Sequence, residues 1–83
     1  MSDKKSRQSV AFGEAVREAR KALNLSQDDF AAISRLHRTY VGGIERGERN
    51  PTLLTIYRIA EALRLTPEDL LAKTSTILAT RRS

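Results

Sequence analysis

The chain lacks cysteine altogether and has one histidine among its 83 residues. Without cysteine it can form neither a disulfide framework nor a thiolate nucleophile. The single imidazole, His37, cannot build a metal site unless carboxylates help it. We therefore expect no metal and no cofactor, and the absence of cysteine is typical of cytoplasmic proteins.

Long apolar runs are also missing. No run approaches the roughly 18 residues that a membrane-spanning helix needs, so a membrane is not an expected partner. Residues 1–10 are polar, and no apolar stretch follows their basic side chains, so we expect no secretory signal peptide. A chain of 83 residues is long enough for one domain with a modest core and leaves little room for a sensor domain.

Catalytic patterns are absent as well. His37 has no nucleophile and orienting group placed around it, and Ser26 and Ser34 have ordinary explanations in a helix cap and a turn. No glycine-rich phosphate loop and no metal-ligand spacing occurs. The sequence therefore predicts that the chain is not an enzyme.

Positive charge is present but unevenly placed. The formal net charge is +5, as in many nucleic-acid binders, but much of the excess lies at the two termini. Residues 10–80 are close to neutral. Inside that range the arginines concentrate between residues 35 and 49, and they are Arg35, Arg38, Arg46 and Arg49.

Apolar residues recur at helical spacing along most of the chain, and no strand pattern competes with them. We predict an all-α fold of five helices: residues 9–23, 26–34, 38–46, a fourth capped by Thr52 and a fifth that begins at Thr66-Pro67. The inward face of the fourth helix is expected to consist of Leu53, Ile56, Ile59, Ala60 and Leu63. Whether the fifth helix continues past Thr74 stays open.

The expected domain organisation has three parts. Residues 1–8 form a flexible basic tail, and residues 9–73 form the folded domain that carries the functional motif described next. Residues 74–83 form a C-terminal extension, a candidate for helix and for dimer contact, which frays at its end. Dimerisation is expected through the fifth helix and the residues after it, and the candidate side chains are Leu65, Leu71, Ile77 and Leu78. The alternative is that Leu65, Leu70 and Leu71 only close the monomer core.

Residues 26–47 carry the main functional indication. They form two short helices around a tight turn, and the second helix opens with Arg38, Thr39 and Tyr40. Such a helix, held by a preceding one, is the shape that enters a DNA major groove. Gly42 and Gly43 cost about 1 kcal/mol each inside a helix. Close packing is one explanation, but we place both on or beside the outward face, where Gly43 leaves room for a phosphate or a base edge.

The residues also match a family. Leu25-Ser26-Gln27, Ile44-Glu45-Arg46-Gly47, Asn50-Pro51-Thr52-Leu53 and Ile59-Ala60-Glu61-Ala62-Leu63, in that order, resemble the lambda-repressor-like (Cro/C1-type) helix-turn-helix regulators over residues 10–72. The stretches around His37-Arg38-Thr39-Tyr40 and Glu45-Arg46 are most similar to restriction–modification controller proteins, which are small dimers. The resemblance implies a cytoplasmic regulator of bacterial or phage origin. It would bind a palindromic DNA operator as a homodimer, with RNA polymerase as a further candidate partner.

The resemblance also implies roles for single residues. Gln27 would hold a phosphate at a helix N-terminus, and Arg38 would reach guanine edges. Arg20 and Glu45 match a buried structural ion pair. The full set of implied DNA-binding residues is Gln27, His37, Arg38, Thr39, Tyr40, Gly43, Arg46, Arg49 and Asn50.

Two positions depart from the family pattern. Arg35 stands in the turn where relatives usually have glycine, and a left-handed backbone there costs about 1–2 kcal/mol. His37 stands where serine, threonine or aspartate would cap the third helix, so we expect a weaker cap through the imidazole. A second function also stays open: a protein-interaction module of the same fold, such as an antitoxin.

Overall fold

The computed structural model describes residues 5–81, and these form five α-helices. The helices are α1 (Arg7–Ala22), α2 (Gln27–Ser34), α3 (Arg38–Glu45), α4 (Leu53–Ala62) and α5 (Pro67–Arg81). Residues 5–81 contain no strand. The prediction of an all-α, five-helix fold is therefore confirmed.

Short polar side chains set where the helices begin. Ser26 Oγ accepts a hydrogen bond from the Asp29 amide at 2.9 Å, and the Asp29 carboxylate accepts one from the Ser26 amide at 3.3 Å. This reciprocal capping box fixes the start of α2. At the start of α1, Ser6 Oγ accepts a hydrogen bond from the Ser9 amide at 2.9 Å. This cap makes α1 begin two residues earlier than expected. Of the expected flexible termini, residues 1–4 and 82–83 lie outside the described part of the chain.

The core is built from all five helices. α1 packs on α3 and α5, while α4 packs on α2 and α5 and α2 also contacts α3. Burial of each large apolar side chain contributes about 1.5–3 kcal/mol. The largest fully buried side chains are Phe30, Ile44, Ile59, Leu70, Val16 and Val41. The α2–α3 pair is therefore held from behind by a shared apolar core.

Gly13 brings α1 into close contact with α3. A Cβ atom on Gly13 would overlap the carbonyl oxygen of Ile44 and come within 2.8 Å of the carbonyl oxygen of Glu45. No larger side chain fits there without separating the two helices. The sequence pattern did not single out Gly13, although a lone glycine inside a helical pattern often has such a packing reason.

α5 runs without a break through the threonine-rich segment where its continuation was open. The hydroxyl groups of Thr74, Thr76 and Thr80 each donate to the carbonyl four residues earlier, at 3.0, 3.1 and 3.0 Å. These bonds satisfy the hydroxyl groups inside the helix. Within residues 5–81, no helix has the length and apolarity to cross a membrane.

One predicted core position on α4 is wrong. Leu53 was expected to face inward, but its side chain is 69% exposed. The buried residues of α4 all lie in its second half, at Ile59, Ala60 and Ala62. In the first half, Ile56 packs against the core but Leu53 does not, so helical spacing alone does not bury the first turn of α4.

Candidate nucleic-acid interface

The turn between α2 and α3 closes on a left-handed residue. Arg35 has φ 63° and ψ 38°, as expected from its place in the motif, although it is not glycine. The Leu36 amide donates to the Ala31 carbonyl at 3.0 Å and ends α2. Leu36 then packs against the core. This apolar contact holds a turn whose backbone costs a non-glycine residue about 1–2 kcal/mol.

A buried ion pair joins α1 to the end of α3. The Arg20 Nε atom lies 2.6 Å from Glu45 Oε2, and Arg20 Nη2 donates to Glu45 Oε1 at 3.0 Å. Arg20 Nη1 donates to the Leu25 carbonyl at 2.8 Å. The hydrogen bonds with Glu45 raise the pKa of Arg20 above its ordinary value, although burial opposes this. The structure thus brings together the two residues assigned to a structural pair.

Gln27 joins the same network from the first turn of α2. Its Nε2 atom donates to Glu45 Oε1 at 3.0 Å. The side-chain amide is therefore held beside α3 by the buried carboxylate. An amide nitrogen carries two hydrogens, so one donor remains for another acceptor.

The first turn of α3 presents exposed polar side chains. Arg38 and Thr39 are exposed, whereas Tyr40 is half-buried against the core. The Arg38 Nε atom lies 2.9 Å from Asp28 Oδ1, and both side chains are largely in solvent. His37 is exposed at the N-cap and makes no capping hydrogen bond through its side chain. The expected imidazole cap is therefore wrong, because no hydrogen bond joins the ring to a first-turn amide.

The two glycines of α3 are buried, so the expectation that they lie open on the outward face is wrong. A Cβ on Gly42 would meet Arg46 Nη1 at 3.0 Å, and one on Gly43 would meet Arg49 Nε at 3.0 Å. Two long side chains therefore fold back over the glycine surface. The missing side chains leave space, and in the free protein the arginines fill it.

The covering arginines have partners of their own. Arg46 donates to both carboxylate oxygens of Glu48, at 3.0 and 3.2 Å. The Arg49 guanidinium carbon lies 5.6 Å from the centre of the Tyr40 ring, which is a cation–π distance. Asn50 is exposed in the loop that follows.

Side-chain contacts join only part of the implied DNA-binding set: Arg49 lies against Tyr40, whereas Gln27 and Arg38 bind carboxylates outside that set. Gln27 reaches Glu45, and Arg38 reaches Asp28. Sequence reasoning missed Asp28 as the partner of Arg38, and no spacing rule relates two residues on separate helices. The set offers hydrogen-bond donors and positive charge around the start of a helix, which suits phosphates and base edges.

The four residues proposed for dimer contact lie elsewhere. Leu71 is 44% exposed, and Leu78 is half-buried. Leu65 and Ile77 pack against the monomer core, so less of each is left for a partner. Among residues 5–81, four large apolar side chains more exposed than Leu71 were not among the candidates: Leu53, Leu54 and Tyr57 on α4, and Ile33 on α2.

The chain is similar to one family of known proteins and to individual proteins from bacteria. The family described as helix-turn-helix matches residues 16–70. Control protein C.SmaI of Serratia marcescens is 50% identical over 62 residues, which cover 75% of this chain and 74% of that protein. The crystal structure of the restriction–modification controller protein C.AhdI from Aeromonas hydrophila shares 48% identity with a TM-score of 0.73, covering 75% of this chain and 94% of that one.

One of the similar solved structures contains DNA. The restriction–modification controller protein C.Esp1396I, crystallised as a tetramer with its natural 35 base-pair operator, aligns with a TM-score of 0.82 at 26% identity. The alignment covers 89% of this chain and 97% of that one.

Proposed function

We propose that this chain, which belongs to the helix-turn-helix family, regulates transcription in the manner of a restriction–modification controller protein. It is a sequence-specific DNA-binding regulator that reads the major groove with α3. The observation that carries this function is the exposed start of α3, where Arg38 and Thr39 stand free of the core. Its family is a class of DNA-binding regulators, not a class of enzymes.

The base contact is assigned to Arg38. Its Nε atom is occupied by Asp28, but its two terminal amino groups remain available. Those groups match the paired acceptors O6 and N7 of guanine. Thr39 lies next to Arg38 and is proposed to contact the neighbouring base or backbone, with His37 and Tyr40 at the sides of the same turn.

The backbone contacts are assigned to both sides of α3. Gln27 keeps one amide hydrogen for a phosphate at the start of α2, where the helix dipole also favours an anion. Arg46, Arg49 and Asn50 are proposed to bind the phosphates of the other side. The Arg49 side chain covers Gly43, so Gly43 can approach DNA only if that side chain moves away. We therefore expect the protein to discriminate weakly between bases at the position facing Gly43.

A homodimer is proposed as the binding unit. One recognition helix reads only about four to six base pairs, and two copies double the site and set the half-site spacing. The proposed dimer surface combines the exposed stripe Leu53, Leu54 and Tyr57 with Leu71. It adjoins an open apolar hollow of about 390 Å³, whose apolar lining is Phe12, Pro51, Ile56, Leu71 and Leu78.

Further proposals follow from the regulatory role. RNA polymerase is a second proposed partner, supported by exposed carboxylates such as Glu18 on α1 and Asp29 on α2. The protein is proposed to act in the cytoplasm of a bacterial cell, where its operator would lie.

Selection from random DNA with the purified chain, followed by titration of the selected operator, tests the function. Replacement of Arg38 by alanine should weaken operator binding by about 5- to 150-fold, which corresponds to about 1–3 kcal/mol for one bidentate base contact. It should also relax the preference for guanine at one position in each half-site. Arg58→Ala, an exposed arginine on α4, is the matched control and should bind as the wild type does.

Salt dependence separates DNA binding from a protein-interaction role. A DNA binder loses affinity with a log–log slope of roughly one unit per phosphate neutralised. A flat slope with micromolar or weaker affinity for every sequence would contradict the proposed function.

A further inference from the structure

The loop after α3 lies directly against the first turns of α1. Gly47 has a left-handed φ of +78°, and a Cβ on it would come within 2.8 Å of the Val10 Cα atom. Val10, in the first turns of α1, therefore adjoins the loop that begins with Arg46 and carries Arg49. The start of α1 is thus continuous with the flank of the proposed DNA surface.

Two basic side chains stand at this junction without a carboxylate partner. Lys5 and Arg7 are exposed, and within residues 5–81 neither takes part in a salt bridge. Together with Val10 and Leu78 they line a shallow hollow of about 270 Å³ between α1 and α5. Neither charge is held in a short ion pair, in contrast to those of Arg38 and Arg46, although Lys5 attracts the Glu48 carboxylate at longer range.

The positive charge of Lys5 acts on Glu48 in the loop after α3. Arg46 donates hydrogen bonds to Glu48 and holds the pKa of that carboxyl below its usual value, and the charges of Arg46, Lys5 and Arg49 act in the same direction. Arg81, which is paired with Glu14, also lines the hollow beside Lys5 and Arg7. We call Lys5, Arg7, Arg46 and Arg49 the basic shoulder.

We propose that Lys5 and Arg7 bind the DNA sugar–phosphate backbone outside the base pairs that α3 reads. The inference rests on the proposed function and extends its contact surface. Two features identify the phosphate backbone as the partner. Lys5 and Arg7 are positively charged, and they belong to the same basic shoulder as the loop residues proposed to bind phosphates. Lys5 and Arg7 break no short ion pair within the protein when they bind a phosphate. The free energy gained when counterions leave the DNA is therefore not reduced by a lost contact.

The double variant Lys5→Gln/Arg7→Gln tests the proposal. Its log–log salt slope for DNA binding should be less steep than that of the wild type by about one to two units. Affinity should fall by a similar factor for operator and random DNA, so the ratio of the two affinities stays the same. Ethylation interference should lose protected phosphates beyond the half-site and keep those next to the bases that α3 reads.

The matched control is Lys21→Gln/Arg64→Gln, which removes the same charge. Lys21 lies about 21 Å from Arg7 along α1, at 1.5 Å per residue. The control should keep the wild-type slope, and both variants should keep the wild-type circular dichroism spectrum. An unchanged slope in Lys5→Gln/Arg7→Gln, or an equal loss in the control, would overturn the proposal. Absence of salt-dependent binding by the wild type would instead overturn the proposed function together with it.

Discussion

At the scale of single residues, arginine serves two different purposes in this protein. Arg20 is buried with Glu45, and removal of one partner from such a pair typically costs about 3–5 kcal/mol because the other charge stays unpaired. Arg38 and Arg46 form their pairs in solvent, where screening leaves each pair a small contribution to stability. The buried pair is therefore structural, whereas the exposed arginines can exchange their partners for phosphates at little cost.

Asp28→Asn should release Arg38 and strengthen DNA binding. We expect affinity for random DNA to rise about 1.4- to 5-fold, since an exposed ion pair contributes about 0.2–1 kcal/mol. Asp29→Asn removes the same charge from the next residue, which contacts Ser26 and not Arg38. Titration of one fluorescent duplex with both variants gives the comparison. Equal affinities in Asp28→Asn and Asp29→Asn would mean that the pair with Arg38 does not restrain binding.

At the scale of elements, the helix-turn-helix holds its geometry through contacts behind the turn. The turn residue Arg35 adopts a left-handed conformation that glycine reaches without cost. The flanking residues Ser34 and Leu36 are buried or pack on the core. The unit therefore keeps its shape without the usual glycine and retains unrelieved backbone strain.

Arg35→Gly should stabilise the protein. Relief of the left-handed strain gains about 1–2 kcal/mol, and the greater freedom of glycine in the unfolded chain offsets about 0.4–1 kcal/mol of it. For a net gain of about 0.8 kcal/mol, the midpoint of thermal unfolding should rise by about 3–6 °C, as followed by circular dichroism. Ala32→Gly, inside α2, should instead lower stability by about 1 kcal/mol. Destabilisation by both substitutions would show that the Arg35 side chain contributes more than its backbone costs.

At the scale of the whole molecule, the described part of the chain has two functional sides. The start of α3 offers hydrogen-bond donors and positive charge, and the first half of α4 offers exposed Leu53, Leu54 and Tyr57. An exposed apolar patch of this kind marks an interaction surface. We propose that a second copy docks on it and brings a second recognition helix to the operator.

Leu54→Glu should weaken the dimer without unfolding the monomer. Leu54 is 64% exposed, so a charge there disturbs little of the monomer core but is buried against a partner. Sedimentation velocity over a concentration series should show a shift towards monomer, and operator affinity should fall with it. Ile33→Glu is the control, because Ile33 is 54% exposed on α2 and lies outside the proposed surface. A monomer shift in Ile33→Glu alone would move the dimer surface to α2.

The sequence by itself determined the five helices and the outline of the DNA-binding motif. Helical spacing and capping are local properties, so the capping box of Ser26 and Asp29 and the core positions Val41 and Ile44 were readable from short stretches. The pairing of Arg20 with Glu45 needed more than spacing, and it came from resemblance to a family.

Tertiary structure alone decided which side chains are covered, paired or exposed on each face of the protein. Arg49 folds over Gly43, Asp28 holds Arg38, and Leu53 projects from the core instead of facing it. These outcomes depend on distances between helices and loops, which periodicity within one helix does not contain. The sequence therefore determined which residues form the reading helix, and the packing of the five helices decided which of its groups are free to read.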